Sequence, residues 1–147
     1  MTIFAQLKST ESSQLATAAQ LKTMADKRLE EAKLLYGKKF YDTAYYLSGH
    51  AVDFALKAVI CKRLNIEAFD VSMLPQRNTS LPGLLVLAGL QSELSDKKNA
   101  DPEFDAAWSL VSQWNESSRL EDSCSQKTAR EFLIGTNTLL SWIKNYW

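Results

Sequence analysis

The segment from Tyr41 to Leu64 constrains this chain more than any other. Laid on a helix, it is apolar on nearly every side: Ala44, Tyr45, Leu47, Ala51, Val52, Phe54, Ala55, Leu56, Ala58, Val59 and Ile60. A surface helix carries one apolar stripe, whereas a helix apolar all round belongs at the centre of a bundle. Its small residues, Gly49, Ala51, Ala55 and Ala58, permit close approach by neighbouring helices. Asn65 is placed to end it.

The partners for such a helix are present on both sides. Leu15, Ala18, Ala19, Ala25, Leu29, Ala32 and Tyr36 recur with helical spacing and predict a helix from about Ser13 to Tyr36, with Lys22 the one polar break in the stripe and Gly37 as its C′ residue. Ile66 to Ser80 reads as a loop. A short helix is predicted from Pro82 to about Leu94, capped by Ser80. Asp101-Pro102-Glu103 combines an N-cap residue, a proline at the first helical position and an acid in the first turn, and so starts another helix carrying Phe104, Ala107, Trp108, Val111 and Trp114. Ser123 and Gln126 have capping-box spacing for a last helix striped by Ala129, Phe132, Leu133, Thr136, Leu139, Leu140, Ile143, Tyr146 and Trp147. No strand alternation, repeat or linker interrupts this pattern. The expectation is an all-α, four- to five-helix up-and-down bundle occupying residues 1–147 as one domain.

Composition narrows the function classes. Seventeen Lys and Arg balance seventeen Asp and Glu. Nucleic-acid binding is largely phosphate neutralisation, so with no basic surplus any such contact must come from a local patch or a partner. The two cysteines, Cys61 and Cys124, lie far apart, and with one histidine they do not make a zinc site; no metal and no cofactor are expected. Met1 to Lys8 lacks a basic region followed by a long apolar run, and Leu81–Leu90 is too short to span a bilayer and holds Pro82 and Gly83. The expectation is a cytoplasmic protein without membrane contact.

Residues able to carry chemistry are few. His50, Asp53 and Lys57 fall within roughly 60° of one another on the Tyr41–Leu64 helix, an ionisable stripe on an apolar element. Burying an unpaired charge is costly, so Asp53 and Lys57 should pair at i,i+4 or with another helix. Either a solvated edge or a structural ion pair accounts for them, as does a functional site. A second polar stretch, Glu116 to Asp122, contains Arg119, whose guanidinium suits bidentate contact with phosphate. Trp108, Trp114, Trp142 and Trp147 suit packing or base stacking. No glycine-rich phosphate loop, nucleophile elbow or paired-histidine metal motif is present.

Three segments together resemble one family. Ala44-Tyr45-Tyr46-Leu47-Ser48-Gly49-His50-Ala51-Val52-Asp53-Phe54-Ala55-Leu56-Lys57-Ala58 is similar to the second helix of HEPN domains, which has a Glu where this chain has Asp53 and a Lys at the position of Lys57. Leu84–Leu90 resembles the short third helix of that family, and Trp108–Arg119 the approach to its last-helix motif. The likeness runs from about Leu29 to Ile143. It implies a bundle that dimerises near that motif, in a family where many members are ribonucleases and many are encoded beside a small nucleotidyltransferase as toxin–antitoxin or defence pairs. Catalytic members carry an Arg, four to six arbitrary residues, then a His. Arg119 matches the Arg, but the positions for the His hold Cys124, Ser125 and Gln126, none of which acts as an imidazole near neutral pH.

The reading that results is a catalytically degenerate HEPN-like binding module. It is a homodimer associated with a nucleotidyltransferase-type partner, or with RNA or nucleotide, with Asp53, Lys57, His50 and Arg119 as the candidate binding residues and Arg119 the remnant of the catalytic pair. The alternatives are a metal-independent ribonuclease in which another residue, such as His50, replaces the missing imidazole, and a purely structural or regulatory helical dimer. Crowding of Trp142, Tyr146 and Trp147 in the last turns, with the habit of the family, motivates the dimer.

Overall fold

The computed structural model describes residues 15–74, 80–116 and 124–147. In chain order they form β1 (Leu15–Thr17), α1 (Ala18–Gly37), α2 (Tyr41–Leu64), β2 (Ala68–Asp70), a single 3-10 turn (Val71–Met73), α3 (Leu81–Leu87), α4 (Gln91–Ala100), α5 (Pro102–Val111) and α6 (Gln126–Ile143). The chain is an all-α bundle with α2 at its centre, packed against α1 along its length and against α6 and α3 on other sides. Its buried positions, among them Ala44, Ala51, Val52, Ala55, Leu56, Ala58, Val59 and Ile60, point in every direction around its axis. From α1 comes a single row, Leu21, Ala25, Leu29 and Ala32. Lys22 does not break that packing, because its ammonium lies 5.8 Å from the Trp147 ring, near the end of the chain.

The helix starts follow capping chemistry. Thr17 and Gln20 form a reciprocal capping box, with the Gln20 amide donating to Thr17 Oγ1 (3.1 Å) and the Thr17 amide to Gln20 Oε1 (2.9 Å). The first helix therefore starts at Ala18, not Ser13, and Leu15–Thr17 instead pair antiparallel with Ala68–Asp70. This two-stranded ribbon was not expected, since three-residue strands are too short to show an alternation. Asp101 and Ser80 cap α5 and α3 as their positions suggested. The cap of α6 is Ser125, which accepts from the Thr128 amide at 3.1 Å; Ser123 lies outside the described residues.

The predicted single helix after Pro82 is two helices. Gly89, at φ +74°, turns the chain between them, and a Cβ there would fall 2.5 Å from the Arg63 guanidinium. Arg63 Nη1 donates to the Leu87 carbonyl (3.1 Å), closing the end of α3 from α2. With this break the described residues hold six helices, where four or five were expected.

The end of α1 also differs from expectation. Gly37 is still helical, and the chain turns two residues later. Lys39 donates its amide to the Tyr36 carbonyl (3.0 Å) and Phe40 to that of Leu35 (2.9 Å), the paired bonds of a Schellman motif. The left-handed residue of that motif is Lys39, at φ +68°.

At the other end, Trp142 is 8% exposed, packed edge-on against Phe104 (5.0 Å) and Tyr146 (5.3 Å). The last-turn aromatics pack within the protomer, so Trp142 does not supply the exposed surface that motivated the dimer.

Candidate site on the central helix

The i,i+4 spacing of Asp53 and Lys57 produces the ion pair it suggested. Lys57 Nζ lies 2.8 Å from Asp53 Oδ2, and both side chains are largely withdrawn from water. The pair is not a solvated edge: Asp53 is 4% exposed, and the Lys57 ammonium faces the rings of Phe69 (5.6 Å), on β2, and Phe54 (6.0 Å). The ribbon thus helps cover the charges. Burial pushes the Asp53 carboxyl above the ordinary carboxylate range, and the Lys57 charge and hydrogen bond pull it back in part.

One turn earlier, His50 sits among aromatic rings. Tyr46 meets it edge-on at 4.6 Å, Trp114 edge-on at 5.0 Å, and Phe54 stacks at 5.6 Å. Trp114 lies just past the end of α5, and its buried indole lies against Gly49. A Cβ at position 49 would fall 2.2 Å from Trp114 Nε1. The glycine read as room for a neighbouring helix is room for a tryptophan.

Arg119 lies outside the described residues. The described residues on either side of its segment both rest on α2. Trp114 sits at Gly49, and the Cys124 amide donates to Asp42 Oδ1. Positions 42 and 49 are about 10 Å apart along a helix axis.

The three positions at which the family histidine would fall are described, and each is occupied structurally. The Cys124 thiol is half-buried; burial, then the neighbouring Asp42 carboxylate, push it above its ordinary range, away from the thiolate form. The Ser125 hydroxyl accepts from the Thr128 amide and donates to Thr128 Oγ1 (2.9 Å). Gln126 is the exposed first residue of α6. Among the described residues no group of three His, Cys, Asp or Glu is placed to hold a metal ion, and no helix is long and apolar enough to cross a membrane.

Comparison with known proteins gives one family. The family model of the HEPN domain matches residues 18–70, which span α1, α2 and β2. No curated protein and no solved structure matches the chain. The matched residues include the whole α2 segment that carries the resemblance, while the likenesses at Leu84–Leu90 and Trp108–Arg119 fall beyond them. The helical hairpin of α1 and α2, with the buried Asp53–Lys57 pair on its second arm, is the part of the chain that is similar to the HEPN domain.

Proposed function

We propose that this chain is a HEPN-type binding module for RNA or nucleotide, with cleavage chemistry lost. It acts as a homodimer beside a nucleotidyltransferase-type partner of the toxin–antitoxin or defence kind. The observation that carries the reading is the state of Cys124, Ser125 and Gln126. Cleavage of RNA by acid–base chemistry needs a group near neutrality to take the 2′-hydroxyl proton and another to protonate the leaving oxygen. A thiol pushed upward, a hydroxyl committed to a helix cap and an amide supply neither. Arg119 retains the capacity to hold a phosphate. Asp53 and Lys57 support the site from beneath by fixing α2, and His50 with Tyr46 and Trp114 forms its aromatic wall. The homodimer is supported by the family habit and by large apolar side chains left exposed on adjacent helices, Ile134 on α6 and Leu110 on α5.

The test is incubation of the purified protein with labelled single-stranded RNA. Wild type should bind, Arg119→Ala should bind more weakly, and neither should cleave faster than the other. Cleavage by wild type that is insensitive to chelators and abolished in Arg119→Ala or His50→Ala would instead establish a ribonuclease. Light scattering at micromolar concentration should give a dimer mass.

A further inference from the structure

Among the described residues, α4 alone of the six helices has no buried residue. A helix laid on a bundle turns apolar side chains toward its neighbours. In α4 a polar row, Gln91, Ser95 and Asn99, recurs at every fourth position, with Lys98 beside it, and these residues line a cleft of about 300 Å³ between α4, α3 and α5. The opposite walls are apolar. Leu85 on α3 and Trp108 on α5 belong to the core, and Leu94 of α4 is half-buried against it. An apolar helix face would cover these groups; a row of amides and a hydroxyl stands across from them instead. Lys98 carries the one charge among the described lining residues, and it is positive. Its partner Asp105 lies 3.8 Å away, a long contact, and does not line the cleft. An ammonium has three N–H donors, so this pairing leaves donors for a second anion, and the Gln91, Ser95 and Asn99 side chains can each donate as well.

We propose that this cleft binds a small organic carboxylate, an acid with one compact hydrocarbon group. The hydrocarbon lies against Leu85, Leu94 and Trp108, and the carboxylate takes donors from Lys98 and the polar row of α4. A carboxylate only accepts hydrogen bonds, and every polar side chain of the cleft can donate one. A cationic ligand would be repelled by Lys98. A pure hydrocarbon would strip water from four polar side chains and return no partner to them. A ligand of several negative charges would exceed the single ammonium. Size sets the other limit, because ligand clefts begin at roughly 300 Å³, so the occupant is a small molecule. No residue of the cleft belongs to the site on α2, and the two readings stand or fall separately.

The experiment follows the tryptophan indole N–H resonances of the full chain while hydrocinnamate, a phenyl ring on a short carboxylate chain, is added. The Trp108 resonance, assigned through Trp108→Phe, should shift and saturate, while those of Trp114 and Trp147 stay in place. The primary amide of the same acid should bind more weakly, and acetate, which lacks the hydrocarbon, should give no saturable shift. Lys98→Gln should weaken hydrocinnamate about fivefold, the upper range for a partly exposed charge pair, and leave the amide unaffected. Ser95→Trp, at an exposed position on α4, fills the cleft and should abolish the response. Should that variant fail to fold, the ligand series and Lys98→Gln decide alone. No saturable Trp108 shift up to the solubility of the probe would overturn the proposal. So would acetate binding as tightly as hydrocinnamate, which would leave a bare anion contact. Equal affinity for acid and amide, unchanged in Lys98→Gln, would reduce the cleft to an apolar gap and overturn it as well. RNA binding and its loss in Arg119→Ala should be the same with and without the probe.

Discussion

The indole of Trp114 occupies the space that a side chain at position 49 would fill. Neither residue tolerates independent change. Gly49→Ala places its methyl about where the Nε1 edge now lies, and the indole must move out of a site that buries it. The expected cost is about 1–3 kcal/mol, as for other overpacked sites. Trp114→Ala empties the site and should cost about 3–5 kcal/mol. In the double variant the methyl enters the vacated space, so the added cost of Gly49→Ala should nearly vanish. Denaturant melts of all four proteins measure this coupling; additive costs would show that the two residues do not share the site.

The Asp53–Lys57 pair should behave as a buried charge pair. Replacing either residue alone leaves the other charge without its partner, and about 3–5 kcal/mol of stability should be lost. Replacing both, as Asp53→Leu with Lys57→Met, removes two desolvation costs together and should be close to neutral or stabilising. The relation to pH has a definite sign. A carboxyl raised by burial keeps its proton in the folded state over a range where the unfolded state has lost it, so stability in that range falls as pH rises. In Lys57→Met the opposing lysine charge is gone and the range widens. That variant should gain stability relative to wild type as pH is lowered from neutrality toward the ordinary carboxylate value. A melting midpoint difference independent of pH would contradict the assignment.

Lys39→Gly should stabilise the protein by about 1 kcal/mol, because the left-handed position then carries no β-carbon penalty. Lys39→Val should lose stability, since branching at the β-carbon worsens the same clash. Thermal melts decide it. A destabilised Lys39→Gly would mean that the lysine side chain contributes more to the fold than its backbone strain subtracts.

Core truncations should separate two leucines that the sequence pattern treats alike. Leu56 is fully buried on α2, and Leu56→Ala should cost about 2–5 kcal/mol. Leu133 is on the predicted stripe of α6 but only half-buried. Leu133→Ala should cost less than half as much in the same urea titration. Equal losses would show that the α6 face is rotated from the one described.

Much of this arrangement was legible in the residues because it depends on local rules. Periodicity identified α2 as central, and the i,i+4 spacing offered Lys57 as one partner for Asp53. Asp101 and Ser80 were readable as caps because their hydrogen bonds close within three residues. What escaped depends on contacts distant in sequence. The β1–β2 ribbon joins residues over fifty positions apart through strands too short to carry a pattern. Gly89 turns the chain at a positive φ, and Arg63 from α2 fills the place its side chain would take. Gly49 looked like any small residue on a helix, and Lys39 looked like an ordinary turn lysine, because a backbone angle leaves no mark in composition. Cys124 could be read as the failure of a motif, but not as a residue tied to Asp42, which lies eighty-two positions earlier.

A helix that is apolar on every side has no preferred rotation about its own axis as far as the hydrophobic effect is concerned. Turned by a fraction of a revolution, α2 would present another set of alanines, valines and leucines to α1 and α6 at similar cost. Two features remove that freedom. The notch at Gly49 accepts Trp114 from one direction, and the charges of Asp53 and Lys57 meet beneath Phe69 in one orientation. The contribution of the ion pair is to uniqueness more than to stability. The variant with leucine and methionine in place of the pair should melt as high as wild type yet give broadened amide resonances along α2, the signature of a core that is well buried but no longer held at one angle.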